Sequence, residues 1–121
     1  MVEFAITAML LLMIVFFIIE FGQATWRYNT MGGLAKDAAR YASVHGSSSG
    51  SAVDSAAVQT WVNSRSQGFA VIAHTTWPDG GSNAPGKRVQ VRVETTFTPQ
   101  TRLIPHSALN LRSTAQVIIA R

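Results

Sequence analysis

Residues 2–22 read VEFAITAMLLLMIVFFIIEFG, and this stretch decides how the chain folds. From Phe4 to Ile19 every side chain is apolar except the hydroxyl of Thr7, yet a carboxylate stands near each end, at Glu3 and Glu20. As an α-helix this run would span about 24 Å at about 1.5 Å per residue. Because an unpaired carboxylate in lipid costs several kcal/mol, the two acids need a physical explanation.

We compared three interpretations of this apolar segment. Extended over residues 1–22, a helix approaches the hydrocarbon thickness of a bilayer, about 30 Å, and the aromatic and basic residues expected at an interface follow at 26–28. A cleavable signal peptide would need basic residues before the apolar run, and none precedes Glu3. A core helix of a soluble protein would need a polar face, which the run lacks. We therefore expect a membrane-spanning or filament-core helix.

The charge distribution leaves the orientation of such a helix open. All positive charge lies C-terminal to the apolar run, so the positive-inside rule would keep the main domain in the cytoplasm. An exported protein whose basic leader had been removed would show the same pattern.

The composition of the 121-residue chain suits one small domain plus this segment. There is no cysteine, which excludes disulfides and thiol chemistry. The net charge of +4 becomes near +6 without the apolar segment, because the segment holds two acids and no base. A basic remainder favours anionic partners such as phospholipid, nucleic acid or acidic polysaccharide.

Beyond the apolar run, the pattern predicts an α+β fold. The first helix should continue to His45–Gly46, and Gly32–Gly33 within it indicates either a locally melted point or close helix packing. Asp54 or Ser51 should cap a second helix that ends near Gln67. Three strands of an antiparallel sheet should follow and pack on the C-terminal half of the first helix, at 68–77, 87–97 and 111–121, joined by a turn-rich segment at 78–86 and a loop at 98–110. We expect a long helix at 1–46, with a membrane or filament-core segment at 1–22, then a linker at 47–52 and a small head at 53–121.

No motif indicates catalysis or a cofactor, so we predict neither an enzyme nor a metal site. Histidines 45, 74 and 106 lack ligand spacing, and the serines lie outside any nucleophile motif. Three basic residues, Lys87, Arg88 and Arg92, mark either a contact surface for an anionic partner or the solvated face of an amphipathic strand. No aromatic residue alternates with them, so nucleic acid is not an expected partner.

The combination of VEFA, the apolar run, IIEFG, an aromatic and Arg cluster and an Ala-rich KDAARYA resembles the TadE-like pilins of the tight-adherence (Tad) pilus, within the type IV pilin superfamily. The resemblance is strongest over residues 2–42. It implies a bacterial prepilin whose short leader is removed by a prepilin peptidase, after which the subunit waits in the inner membrane. Pilus assembly machinery then draws it into an extracellular filament. Because Glu3 lies nearer the given start than the family spacing, either the mature chain begins upstream of Met1 or this member differs.

The assembly residues that this resemblance implies are Glu3, Phe4, Glu20, Phe21 and Arg27. In a bundle of apolar helices, Glu3 could pair with the α-ammonium of a neighbouring subunit, or it could act only as a helix-dipole residue. Glu20 and Arg27 share a helix face but lie two turns apart. They could pair between staggered subunits, or Glu20 could mark where the apolar run ends.

The sequence therefore predicts a structural subunit that polymerises with copies of itself into a helical pilus for adhesion. The alternative is a minor pseudopilin or bitopic membrane protein that primes pilus assembly or binds a partner with its exported domain.

Overall fold

A computed structural model describes residues 1–101 and 108–120. Its elements follow the chain as helix α1 (Val2–Val44), helix α2 (Ser55–Asn63) and strands β1 (Ile72–Thr76), β2 (Arg88–Phe97) and β3 (Leu109–Ile118). The predicted α+β fold is confirmed: a long N-terminal helix, a short second helix and an antiparallel three-stranded sheet. Residues 102–107 of the predicted loop and Arg121 of the predicted last strand lie outside the described residues.

Helix α1 runs without a break through Gly32–Gly33. A Cβ added at Gly32 would lie 3.8 Å from the Ser113 hydroxyl on β3, an ordinary packing distance, whereas one at Gly33 would meet nothing within 4 Å. Close packing, one of the two predicted possibilities, therefore applies to Gly32 alone. The helix ends where predicted, since His45 caps it and donates its backbone N–H to the Ala42 carbonyl.

Helix α2 starts as predicted and ends four residues early. The Asp54 carboxylate accepts a hydrogen bond of 2.8 Å from the Ala57 backbone N–H, which satisfies one of the free donors of the first turn. Past Asn63, the backbone N–H groups of Arg65 and Ser66 donate to the carbonyls three residues before them, which tightens the last turn. Gln67 then takes a φ of +52°, which a continuing helix cannot accommodate.

The sheet has the order β1-β2-β3, with both pairs antiparallel. Val93 in the middle of β2 pairs with Ala73 on β1 and Ser113 on β3. Strand β3 begins at Leu109, two residues before the predicted start. Strand β1 is shorter than predicted and begins at Ile72; the Ala70 carbonyl before it accepts a hydrogen bond from the Thr95 hydroxyl on β2.

The free edge of β1 is covered by a side chain. The amide of Gln59 on α2 donates to the Val71 carbonyl at 3.0 Å and accepts from the Ala73 N–H at 2.6 Å. These are the bonds that a further strand would make, so Gln59 satisfies the strand edge and ties α2 to the sheet.

The core lies between one face of the sheet and the second half of α1. The predicted alternation on β2 is confirmed, because Val89, Val91 and Val93 are completely buried. They pack against a row of small residues on α1 that lets the sheet approach the helix closely: Ala35, Ala38, Ala39 and Ala42. The division into helix, linker and head stays a prediction, since half of the helix shares its core with the head.

Candidate assembly surface: the apolar arm and its neck

The first residues of α1, up to Ile19, are not buried by the rest of the described chain. We call residues 1–19 the apolar arm. Among the described residues, α1 is the helix that is long and apolar enough to cross a membrane, with an 18-residue window of mean hydropathy 2.7 and none of that window buried. An exposed apolar surface of this extent marks a site that is covered by lipid or protein.

The predicted assembly residues Glu3 and Phe4 lie at the far end of this arm, and both are exposed. Glu3 stands in the first helical turn, where a negative charge complements the helix dipole. The Thr7 hydroxyl donates a hydrogen bond of 2.9 Å to the Glu3 carbonyl. The one hydroxyl within the apolar run is thereby satisfied inside the helix and can enter an apolar environment at low cost.

Glu20 is the first buried residue of α1, with only 4% of its surface exposed. One of its carboxylate oxygens, Oε1, accepts two hydrogen bonds from Thr101, from the backbone N–H at 2.5 Å and from the hydroxyl at 2.6 Å. Its other oxygen, Oε2, is buried without a hydrogen-bond donor among the described residues. Glu20 therefore fastens the segment after β2 to α1 directly after the arm. We call residues 20–30 of α1 the neck.

Sequence reasoning missed Thr101 as the partner of Glu20. The two residues are 81 positions apart, and no local pattern in the segment after β2 indicates the contact.

Arg27 lies two turns beyond Glu20 on the same face, as predicted, and also meets its own chain. Its guanidinium carbon is 5.1 Å from the ring centroid of Phe97 and 5.7 Å from that of Phe69. Such contacts between a cation and aromatic faces are attractive by about 0.5–2 kcal/mol. The predicted pairing of Glu20 with Arg27 between subunits stays a prediction, and it would compete with these contacts. Phe21, between them in sequence, is exposed.

The predicted contact surface of Lys87, Arg88 and Arg92 is divided in the structure. The Arg88 guanidinium binds the Asp79 carboxylate with two nitrogens, the closer at 2.6 Å, and the Arg88 backbone N–H donates to the same carboxylate. These hydrogen bonds lower the pKa of Asp79 to about 2 and raise the pKa of Arg88 above its usual value. Arg88 therefore closes the turn before β2, while Lys87 and Arg92 remain exposed.

Among the described residues no cluster of three His, Asp or Glu side chains is arranged to hold a metal ion. His45 bonds the Tyr41 carbonyl through Nδ1, His74 lies on the outer face of β1, and His106 is outside the described residues.

A comparison with protein families matches residues 1–40 to the family model described as TadE-like protein. The match covers the apolar arm, the neck and most of the buried half of α1. Searches of curated proteins and of solved structures found no match to the chain. The resemblance predicted from VEFA and IIEFG is thus confirmed: residues 1–40 of this chain match the TadE-like family, a structural family associated with the Tad pilus.

Proposed function

We propose that the chain is a structural pilin subunit that polymerises through its apolar arm into a Tad-like pilus filament. The observation that carries this proposal is the exposure of the arm within a segment that matches the TadE-like family. Large apolar side chains are exposed on every side of the arm. Phe4, Leu11 and Phe16 each have about half of their surface or more exposed. A helix with no polar face is stable only where apolar material surrounds it.

Two environments can surround the arm, and the proposal uses them in sequence. Before assembly, the arm spans the inner membrane, which its length and hydropathy allow. During assembly, the arms of successive subunits replace lipid with one another and form the apolar centre of the filament. The head, which has its own buried core, stays outside this bundle.

Glu3 gives this assembly its stagger. At the end of an arm in the membrane, its carboxylate can reach the polar headgroups. Inside a dry bundle it needs a positive partner, and the α-ammonium of a neighbouring subunit supplies one. Only a particular axial offset between subunits satisfies this pair, so misaligned assembly leaves an unpaired buried charge.

The remaining partners follow from the same proposal. A prepilin peptidase and the inner-membrane pilus machinery would process and move the subunit, and the finished filament would be extracellular and serve adhesion.

A second candidate is a minor pseudopilin that primes assembly or binds a partner through the head. It is favoured by the uncovered outer face of the sheet, where Arg92 and Arg112 are exposed. A subunit that uses this face would be present in few copies per filament.

The experiment that tests the proposal compares three versions of the chain by negative-stain microscopy after membrane extraction. The full chain should form uniform filaments by itself. A chain lacking residues 1–19 should fold, because the core lies between Met31 and Ile119, and should form none. The Glu3→Ala variant should insert into membranes as well as the parent but give fewer filaments.

Each failure has its own meaning. Filaments from the shortened chain would refute assembly through the arm. A normal filament yield from Glu3→Ala would refute the charge pairing alone. A full chain that stays dispersed, yet is found in trace amounts in filaments of another subunit, would favour the minor pseudopilin.

A further inference from the structure

A cleft of about 520 Å³ opens at the end of the head from which the arm leaves. On one side it is bounded by Arg27 of α1 and by Phe69 and Ala70, which precede β1. On the other side lie the neck-proximal ends of the three strands, with Ile72, Glu94 and Arg112 in one row across the sheet. Its volume lies within the range of binding sites for small molecules.

The height of this cleft relative to the membrane follows from the helix. If the hydrocarbon region, about 30 Å thick, takes up the arm and the first residues of the neck, it ends near Phe21. Arg27 lies six residues further on, about 9 Å along the axis at about 1.5 Å per residue. The headgroup layer occupies this interval, and a long arginine side chain can direct its charge toward that layer. The segment at Thr101 lies closer still to the hydrocarbon region, because it forms a hydrogen bond with Glu20.

The lining of the cleft combines positive charge with apolar walls. The lining includes two guanidinium groups, those of Arg27 and Arg112, and one carboxylate, that of Glu94. Arg112 has no ion-pair partner among the described residues, and Arg27 is held by aromatic rings rather than by an acid. Phe69 and Leu111 supply half-buried apolar surface beside these charges. A guanidinium pairs well with a phosphate because it offers two parallel donors.

We propose that this cleft binds the phosphate of an anionic phospholipid in the leaflet next to the head. Arg112 and Arg27 contact the phosphate, while Ile72 lies against the glycerol and upper acyl region. The anchored head is thereby fixed in height and rotation on the bilayer before assembly. This site depends on membrane anchoring by the arm and not on polymerisation.

The test places the full chain in nanodiscs of phosphatidylcholine alone or with added phosphatidylglycerol. Amide hydrogen exchange is measured over residues 69–72 and 110–112. Phosphatidylglycerol should slow exchange in both segments, and Arg112→Gln should reduce this protection about fivefold, as expected for one basic residue at an anionic surface. Arg92→Gln is the matched control, because Arg92 lies on the same outer face but outside the cleft.

Three results would overturn the proposal. The first is that phosphatidylglycerol leaves amide hydrogen exchange unchanged. The two variants could lose protection equally, which would indicate diffuse attraction to a basic head. Soluble glycerol phosphate, added to neutral nanodiscs, could reproduce the protection, which would indicate a phosphate site that does not take lipid. None of these results bears on filament formation, which the imaging experiment tests separately.

Discussion

Helix α1 has two halves that differ in the size of their apolar side chains and in what those side chains contact. The arm carries Phe, Ile, Leu and Met around its whole circumference, and all of these side chains are exposed. The half beyond Glu20 has one face that is rich in alanine, and that face is buried against the sheet. Small residues on one face indicate a partner within the same chain, whereas large residues on every face indicate surroundings that the chain does not supply.

Glu20 lies at the junction of the two halves and belongs to the second. Its carboxylate is buried by the head of its own chain. Glu20 therefore has a partner in its own chain, whereas the carboxylate of Glu3, at the free end of the arm, has none among the described residues.

The largest effect on stability is expected from a pair of substitutions, one in each half of α1. Ala38→Leu inserts three carbons where the side chain is fully buried against the sheet, and it should lower the free energy of unfolding of the head by about 1–3 kcal/mol. Leu11→Ala removes a large side chain from the arm, which is exposed, and should change that free energy by less than about 0.5 kcal/mol.

Both free energies are measured by denaturant unfolding of the chain in detergent, followed through the near-ultraviolet signal of the head. An equal loss of stability in the two variants would mean that the arm folds back on the head, and the division of α1 would be wrong.

The elements that could be predicted from the sequence are those set by neighbouring residues. The alternation of Val89, Val91 and Val93 predicts a half-buried strand, and Asp54 marks the start of α2, because each signal acts within a few positions. The contacts that could not be predicted join residues far apart in the chain. Glu20 with Thr101, and Gln59 with the edge of β1, exist only after the sheet has formed on the helix.

The end of α2 shows why element boundaries are harder to predict than element types. The residues from Ser64 to Gln67 have no residue that forbids a helix, so the pattern extends the prediction to the glycine at 68. The chain instead tightens through backbone bonds from Arg65 and Ser66 to the carbonyls three residues before them, and it turns at Gln67, which helix propensity does not express.

The contact at the neck allows a second, smaller test of the comparison. Thr101→Val removes the hydroxyl that donates to Glu20 and keeps the backbone donor, so it should cost about 1.5–3 kcal/mol, as for a hydrogen bond to a charged group. Glu20→Gln should make the effect of Thr101→Val smaller, with a coupling of about 0.5–3 kcal/mol in a double-mutant cycle of unfolding free energies.

The competing pairing of Glu20 with Arg27 between subunits predicts a different result. Reversal of either charge would weaken filaments, and reversal of both would restore them in part. If Glu20 serves its own head, the double reversal is no better than the sum of the single ones. Filament yield and thermal resistance, measured for the two single variants and the double, distinguish the two roles.

The smallest effect is expected far from the neck, at the turn before β2. Because hydrogen bonds from Arg88 hold the pKa of Asp79 at about 2, below its usual 3.8, the folded chain keeps this carboxylate ionised at a pH where the unfolded chain protonates it. The resulting stabilisation is complete above pH about 4 and is lost as the pH falls toward 2. Asp79→Asn should therefore flatten the dependence of stability on pH between about 4 and 2, and Arg88→Gln should do the same.

Arg92→Gln, which leaves this pair intact, should keep the slope of the parent chain. Thermal unfolding across this pH range measures the three slopes. Since Arg88 is exposed and Asp79 is only half-buried, added salt should shrink the difference, and a slope that salt does not change would mean that another acid is responsible.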